Sequence, residues 1–351
     1  MRVLIIHKLL EPYRLDLFSA LGEIPEFELS VIHSGVARKR AGDSFREEIV
    51  HRKESGSFYK QEIKAEKYEN SDLVIFPFDL HSCDSLSAPY RSKLEGKIIY
   101  FGQGKGHHPL ANYLRYWQAR KARGLLLYED PAARWFLSKN IPSSRIQVFH
   151  NSILVPNAGY NPNPSRGNFL YVGRIQPRKD VEEMLQAFSL ALPSLSEGTG
   201  LEIVGAGPHL EKLKKLARNL KIERQVLFHG EIRDPAKLRP IFWRALAYIS
   251  PGHVGLGVLH SFAYGVPVIT RRGEKHAPEY VNLKDSQNGI KYQGGSRCLA
   301  DIMIRLSKNP ELSREMGREG YRYYISERPL SRSVGLIAGA LKTWVSPRSK
   351  Y

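Results

Sequence analysis

The chain has 351 residues, which is too many for one ordinary doubly wound domain and suits two. No apolar run is long enough for a membrane-spanning helix, and the two cysteines form no Cys-x-x-Cys pair. The cysteine usage therefore excludes a disulfide framework and a structural zinc site and indicates a cytoplasmic protein. The net charge of +18 favours an acidic partner such as an anionic membrane.

The first elements follow from apolar runs that alternate with helical stretches, as far as residue 149. Strands are predicted at 2–6, 28–33, 73–76, 97–101, 124–128 and 146–149, and helices at 12–21, 110–122 and 131–139.

Residues 38–67 interrupt this alternation, because they are polar and show little periodicity. We expect a long irregular excursion there. Residues 157–167 are dense in Asn, Pro and Gly, which is typical of a linker.

The alternation of strands and helices restarts after the linker. Strands are predicted at 168–172, 201–204, 226–228, 245–249 and 267–270, and helices at 181–191, 209–219 and 235–243. Residues 312–345 read as helical except around Pro329. The sequence thus predicts two Rossmann-like doubly wound α/β domains that face each other across a cleft. The predicted domains are residues 1–160 and 161–325, with a helical tail, 326–351, that packs back on the N-terminal domain.

The segment Ser250–Thr270 runs from a strand through a glycine loop into a short apolar helix. Such a unit aims backbone N–H groups at one point and favours a phosphate at the helix N-terminus. Gly255 and Gly257 remove side chains where a ligand would approach the backbone. Arg174 and Lys179, just past another strand, suit a diphosphate. Taken singly, each segment also has an ordinary explanation. A glycine loop after a strand is often only a turn, and an Arg and a Lys near a helix start are often only solvated surface cations.

Several motifs occur together, in order, in the C-terminal half. They are Gly173-Arg174 through Lys179, Val204–Pro208, Phe228–Glu231, Pro251–Ile269, Pro278-Glu279 and Asn288-Gly289. In this order and spacing they resemble retaining glycosyltransferases of family 4, which have the GT-B fold. Weaker N-terminal similarities are Pro12-Tyr13-Arg14 and the turn Tyr100–Gly104.

The resemblance implies a metal-independent hexosyltransferase without a cofactor, whose donor substrate is a nucleotide-diphosphate sugar. The acceptor would be a saccharide or a lipid-linked saccharide, in surface polysaccharide or glycoconjugate synthesis. The catalytic residues would be Arg174, Lys179 and His253. The donor would contact Gly173, Gly205, Gly207, Pro208, Glu231, Ile232, Val254, Gly255, Leu256, Gly257 and His260. The acceptor side would hold Tyr13, Arg14 and Gln103.

The sequence departs from the family at two glutamates that usually flank seven residues. Gly252 and His260 stand there, so neither position supplies a carboxylate. His253 is the nearest polar candidate to the first. Gln103 replaces the histidine of an aromatic–Gly–His–Gly turn, and an amide cannot take a proton at neutral pH.

Three other functions remain open at this stage. A GT-B protein without catalytic activity that binds a sugar or nucleotide would show these missing carboxylates. A GT-B sugar-nucleotide epimerase would share the two-domain cleft. Nucleic-acid binding fits the charge, but the cations are scattered among acids and no aromatic–basic platform is present.

Overall fold

The computed structural model describes residues 1–106, 108–161 and 167–345. It divides the chain into two compact units: Met1–Leu154 together with the segment from Leu330 onward, and Val155–Pro329. The sequence had placed these boundaries after residues 160 and 325. Residues 162–166 of the predicted linker and 346–351 of the predicted tail lie outside the described residues.

The first unit is built on a seven-stranded parallel sheet. Its chain contributes β1 (Arg2–Ile6), β2 (Glu28–His33), β3 (Arg46–Ile49), β4 (Arg52–Ser55), β5 (Phe58–Gln61), β6 (Leu73–Pro77), β7 (Ile98–Gly102), β8 (Gly124–Leu127) and β9 (Ile146–Val148). The sheet order is β3-β2-β1-β6-β7-β8-β9, and β4 and β5 form a separate antiparallel hairpin. The helices are α1 (Leu15–Gly22), α2 (Ala65–Glu69), α3 (Cys83–Ser87), α4 (Pro109–Lys121) and α5 (Asp130–Leu137).

The apolar run of β1 shows why this sheet is buried on both faces. Val3 and Ile5 join the core cluster that includes α1, whereas Leu4 and Ile6 join the cluster on the opposite face. Successive side chains of a strand point to opposite faces, so a continuous apolar run is needed where helices cover both.

The prediction of an irregular excursion at 38–67 was wrong. This segment contains β3, the β4–β5 hairpin and α2. β3 is an edge strand with half-buried or exposed side chains, so it lacks the apolar signal of a central strand. The hairpin buries only Tyr59 and Gln61 among its eight strand residues, which left too weak a pattern to detect.

The second unit has a six-stranded parallel sheet in the order β12-β11-β10-β13-β14-β15. Its strands are β10 (Asn168–Val172), β11 (Gly200–Val204), β12 (Val226–Gly230), β13 (Ala245–Ile249), β14 (Val268–Arg271) and β15 (Gly289–Tyr292). Its helices are α6 (Val181–Ala191), α7 (Leu210–Asn219), α8 (Pro235–Trp243), α9 (Gly257–Ala263), α10 (Ser296–Lys308) and α11 (Pro310–Glu327). Of these, β15 and α10 were not predicted.

The last described helix, α12 (Leu330–Val345), belongs to the first unit. Trp344 packs so closely on Gly124 of β8 that a Cβ added there would lie 2.3 Å from the indole ring. The Trp344 indole N–H donates to the Ser144 carbonyl (2.9 Å). The hydroxyl of Ser333 donates to the Phe149 carbonyl (2.9 Å), so the helix is held at both ends.

Strand order reverses once in each sheet, next to β1 in the first unit and next to β10 in the second. In open parallel sheets, ligands bind beyond the carboxyl ends of the strands at this switch point. The β1/β6 and β10/β13 ends are therefore where a site is expected in each unit.

Candidate functional site

A cavity of about 450 Å³ lies at the carboxyl edge of the second sheet. The loops that follow β10, β11 and β12 form its walls. It brings together the predicted catalytic Arg174 and five of the residues predicted for the donor: Gly173, Gly205, Gly207, Glu231 and Ile232. The remaining wall residues are Val172, Val204, Ala206 and Arg233.

Backbone hydrogen bonds join these three loops. The N–H of Gly173 donates to the Val204 carbonyl (2.9 Å), and the N–H of Gly205 donates to the Gly230 carbonyl (2.7 Å). A Cβ added to Gly205 would lie 1.9 Å from the Gly173 carbonyl oxygen. Glycine is needed at position 205 because two backbones meet there, whatever the cavity binds.

Arg174 stands exposed at the wall of this cavity, and within the described residues its guanidinium forms no ion pair. Its backbone is fixed from beneath, because the buried Tyr171 hydroxyl donates to the Arg174 carbonyl (3.0 Å). A free guanidinium on a rigid loop can form two parallel hydrogen bonds with a phosphate group.

Lys179 links its own loop to the glycine loop after β13. Its Nζ donates to the His253 carbonyl (2.7 Å). In the other direction, the N–H of Gly252 donates to the Lys179 carbonyl (3.1 Å) and that of His253 to the Arg178 carbonyl (2.8 Å). Burial lowers the pKa of Lys179 to about 8; the charge of Arg178 adds to this effect and that of Glu279 opposes it. Lys179 is therefore still protonated at neutral pH.

Position 252 is closed to any side chain in this arrangement. A Cβ added to Gly252 would lie 2.3 Å from the Arg178 carbonyl oxygen and 2.8 Å from the carbonyl carbon of Lys179. A glutamate, which the family resemblance leads one to expect here, has no room beside the Lys179 loop. The departure at position 252 thus has a packing reason.

Two histidines are held in defined orientations beside this loop. Nδ1 of His253 donates to the Lys275 carbonyl (2.5 Å), and burial lowers its pKa. Nε2 of His253 is then left with its lone pair at neutral pH. Nδ1 of His276 accepts the N–H of Val254 (3.2 Å), while its Nε2 donates to the Arg271 carbonyl (2.8 Å).

The start of α9 offers backbone donors. Within the described part of the chain, the N–H groups of Gly255, Leu256 and Gly257 form no hydrogen bond. Three successive free N–H groups at a helix start suit an anion. The absence of a side chain at Gly257 serves internal packing, because a Cβ there would lie 2.5 Å from the Tyr248 hydroxyl.

Glu279 is a buried carboxylate that the sequence did not single out for a role. Its Oε2 lies 3.6 Å from where a Cβ on Gly255 would be. The motif Pro278-Glu279 was visible in the sequence, but only the fold shows that it returns to the glycine loop. Glu279 is thus the carboxylate beside a loop that carries none of its own.

Pro208 and His260 do not line the cavity, and the predicted residues of the next loops, Lys179, His253 and 254–257, are not among its wall residues either. Pro208 is exposed in the turn before α7. His260 packs against the rings of Phe242 and Tyr264, with centroid distances of 5.0 and 5.6 Å. Burial lowers the pKa of His260 to about 4, so its imidazole is uncharged at neutral pH.

A second cavity, of about 380 Å³, lies at the switch point of the first unit. The predicted acceptor-side residues Tyr13, Arg14 and Gln103 all line it. Arg14 is only 3% exposed and lies within about 5 Å of three aromatic rings, those of Tyr13, Phe101 and Tyr128. Its guanidinium also donates to the Tyr128 hydroxyl, and it forms no ion pair with any described carboxylate.

His7 and Asp79 also line this cavity, and the sequence did not single them out. Burial lowers the pKa of His7 to about 3, with a further contribution from the charge of Arg14, so His7 is uncharged at neutral pH. The Asp79 carboxylate accepts from the Tyr59 hydroxyl (2.8 Å) and from the His81 N–H (2.9 Å). His7 directly follows β1, and Asp79 is the second residue after β6; their positions at the ends of central strands are the signal that could have found them.

A larger cavity, of about 720 Å³, lies at the amino ends of the second sheet. The buried Glu202 on its wall already accepts from Arg244 (2.6 and 2.7 Å), Asn168 (2.7 Å) and His229 (2.6 Å). A carboxylate with this many partners is typical of a structural network. We therefore assign no ligand to this cavity.

The described residues contain no group of three or more His, Cys, Asp or Glu side chains that could hold a metal ion. Over the same residues, no helix is both long and apolar enough to cross a bilayer.

Comparison with known proteins adds a family match. Residues 158–323 match the family described as Glycosyl transferases group 1. N-acetyl-alpha-D-glucosaminyl L-malate synthase of Bacillus anthracis is 30% identical over 178 residues, 49% of this chain and 45% of that protein. Alpha-monoglucosyldiacylglycerol synthase of Streptococcus pneumoniae is 31% identical over 149 residues, 41% of this chain and 32% of that protein. The aligned region spans less than half the length of either relative.

Among solved structures, Anabaena Alr3699/HepE in complex with UDP superposes with a TM-score of 0.73 at 13% identity, over 97% of this chain and 100% of that one. At this identity the likeness shows the fold alone. It confirms the predicted GT-B fold class, with two Rossmann-like α/β domains.

Proposed function

We propose that this chain, with a group 1 glycosyl transferase region at residues 158–323 on a GT-B fold, is a retaining, metal-independent glycosyltransferase of the family 4 type. Its donor is a nucleotide-diphosphate sugar, and its acceptor is a saccharide or a lipid-linked saccharide. One observation carries the proposal. The unpaired Arg174, the protonated Lys179 and the free N–H groups of the glycine loop all lie at the carboxyl edge of one sheet.

Negative charge develops on the leaving diphosphate as the bond to the sugar breaks. Arg174 binds two phosphate oxygens, Lys179 adds a point charge, and the N–H groups of residues 255–257 donate to the phosphate. These donors are fixed before the reaction by the Tyr171 and His253 contacts described above, so they need little reorganisation. Such preorganised groups stabilise the transition state without a metal ion.

Retention follows if the acceptor attacks from the face that the diphosphate leaves. The acceptor oxygen forms its bond to the sugar anomeric carbon as the bond from that carbon to the phosphate oxygen breaks. The acceptor proton passes to an oxygen of the departing diphosphate. No protein base is then required, which agrees with a glutamine at position 103.

The remaining predicted residues have supporting roles. Glu231 and Ile232 on the cavity wall lie beside the nucleotide base. His253 and Glu279 offer hydrogen-bond acceptors for sugar hydroxyls, in place of a carboxylate at 252. Tyr13, Arg14 and Gln103 hold the acceptor in the first unit. In this proposal the protein works in the cytoplasm, peripheral on an anionic membrane, in polysaccharide or glycoconjugate synthesis. The net charge of +18 supports the membrane contact, and a relative named for a glycolipid product supports the lipid-linked acceptor.

The first experiment is a thermal-shift panel of UDP-, GDP- and ADP-sugars, followed by a transfer assay with the donor that stabilises the protein. Arg174→Ala and Lys179→Ala should each lower turnover by about 100-fold or more, as expected for loss of a transition-state donor. Gln103→Ala should lower it much less. Lys215→Ala, which removes an exposed lysine of α7, is the matched control and should change little. A larger loss from Gln103→Ala than from either cation would contradict the mechanism.

A second candidate function is a catalytically inactive GT-B protein that binds a sugar or nucleotide. The lack of a carboxylate at positions 252 and 260 favours it. Donor binding in the thermal panel without transfer or hydrolysis would support this candidate. A GT-B epimerase would instead interconvert two sugar nucleotides without an acceptor.

A further inference from the structure

Helix α4 turns apolar side chains outward. Leu110 is 62% exposed, Tyr113 55%, Leu114 41% and Trp117 39%. Positions i, i+3, i+4 and i+7 lie on one face of an α-helix, so these four residues form a continuous stripe, named here the outer stripe. A surface helix normally presents polar residues to water, and a contiguous apolar patch there marks an interaction site.

The core does not account for the outer stripe. Ala119 is buried on the face of α4 opposite the stripe, and the Gln118 side chain, at the edge of the stripe, donates to the Ser85 carbonyl (3.1 Å). These contacts anchor the helix on the first unit, and they do not involve the four residues of the stripe. Tyr113 and Trp117 meet in an edge-to-face contact with ring centroids 6.3 Å apart, so the two aromatic side chains of the stripe pack on each other.

The charged residues in the part of the sequence that contains the outer stripe are all of one sign. No Asp or Glu occurs between Glu95 and Glu129 in the sequence. Arg120 and Lys121 continue the exposed face beyond Trp117, and the Arg120 guanidinium lies 5.3 Å from the Trp117 ring centre. Apolar and aromatic side chains flanked by cations are the composition of a helix that lies in the headgroup region of an anionic bilayer.

We propose that the outer stripe of α4 is the surface by which this protein binds an anionic lipid leaflet. The helix lies along the membrane, with Leu110, Leu114 and the aromatic rings among the headgroups and upper acyl chains. Arg120 and Lys121 contact lipid phosphates. This inference deepens, and rests on, the proposed transfer to a lipid-linked acceptor.

The position of the helix in the first unit agrees with that role. Strand β7 ends at Gly102, which lines the acceptor-side cavity together with Gln103, and α4 begins shortly afterwards at Pro109. The Leu110 end of the stripe therefore belongs to the carboxyl edge of the sheet, where that cavity opens. A lipid-linked acceptor held in the leaflet would need to travel only a short way to reach it.

The test is co-sedimentation of the full chain with vesicles of phosphatidylcholine alone or mixed with phosphatidylglycerol. Wild type should bind the mixed vesicles at least about tenfold more tightly, and added salt should weaken that binding. The double variant Leu110→Ser/Trp117→Ser should lose about tenfold or more in binding to the mixed vesicles. Arg120→Gln/Lys121→Gln should reduce the preference for phosphatidylglycerol.

The matched control is Leu190→Ser, which changes a leucine of similar exposure (52%) on α6 of the second unit. It should bind vesicles as wild type does. Thermal unfolding should show that all variants fold. Undiminished sedimentation of the Leu110→Ser/Trp117→Ser protein would overturn the proposal. So would a wild-type dimer that this variant dissociates, because the stripe would then be a contact between copies.

Transfer to a water-soluble saccharide acceptor separates this proposal from the proposed function. The Leu110→Ser/Trp117→Ser variant should keep that activity while losing vesicle binding. If wild type binds anionic vesicles through the stripe but transfers no sugar, the proposed function fails and the membrane surface stands.

Discussion

Gly252→Ala is the substitution that most directly tests how the candidate donor site is built. The added Cβ would lie 2.3 Å from the Arg178 carbonyl oxygen and 2.8 Å from the Lys179 carbonyl carbon. Non-bonded carbon contacts are comfortable only beyond about 3.5 Å, so the two loops must separate by roughly 1 Å. Because both obstructing atoms are backbone, no side-chain rotation can relieve the overlap.

Separation by this amount breaks two backbone hydrogen bonds, from Gly252 to Lys179 (3.1 Å) and from His253 to Arg178 (2.8 Å). At about 1 kcal/mol each, the loss is about 2 kcal/mol. For a unit of this size, that corresponds to a fall in Tm of roughly 4–8 °C. Lys179 moves with its loop, and a misplacement of about 1 Å can cost on the order of 100-fold in turnover.

The assay is urea unfolding of the purified protein, followed by donor turnover for the folded variant. Gly255→Ala is the matched control, because it adds the same methyl group to the same loop. Its Cβ would meet only Ala277 at 3.3 Å and Glu279 at 3.6 Å. The control should stay within about 1 kcal/mol of wild type. The close approach of the two loops would be refuted if Gly252→Ala were as stable as wild type. It would also be refuted if Gly252→Ala and Gly255→Ala lost the same free energy of unfolding.

Three further predictions concern pH and stability. Affinity for the nucleoside diphosphate of the preferred donor should fall by up to about tenfold per pH unit above pH 8, because Lys179 then loses its proton. Calorimetric titration should show this fall in wild type and not in Lys179→Arg. A flat profile in wild type would contradict the role of Lys179. Trp344→Ala should lower the free energy of unfolding of the first unit by about 3–5 kcal/mol, as measured by urea unfolding. Val345→Ala, at the exposed neighbouring residue, should lower it little. Equal losses in the two variants would mean that the indole of α12 does not contribute to the core. Glu202→Gln should lower the free energy of unfolding by about 1–3 kcal/mol, which is less than for a fully buried ion pair because Arg244 is partly solvated. It should leave turnover unchanged. A large loss of turnover in the folded variant would place a functional site at the amino ends of the sheet.

The central strands and the cation positions were readable in the sequence. β10 and β13 are continuous apolar runs because helices cover both sheet faces, and this pattern is local. Arg174 and Lys179 follow such a strand, so their placement at the carboxyl edge required only the βα alternation. The edge strand β3 was missed because its side chains face water and leave no apolar period.

Other parts of the candidate site depend on contacts between distant segments. Glu279 reaches the glycine loop from the far side of β14, and His276 receives the Val254 N–H across 22 residues. No local pattern encodes such pairings, since neither partner's sequence specifies the other. The reason for Gly252 is of the same kind, because only the folded backbone shows that the Lys179 loop occupies the space of a side chain.

The sequence by itself therefore determined the two α/β domains, the central strands and the glycine and cation motifs, because these arise from apolar periodicity and strand-end position. Tertiary structure alone decided which glycines serve loop packing, which carboxylate stands beside the glycine loop, and which face of α4 is left in water. The sequence predicts a helix over residues 110–122, but only its packing shows that Leu110 and Trp117 lie outside. Burial and close approach are properties of the assembled backbone, and local periodicity cannot specify them.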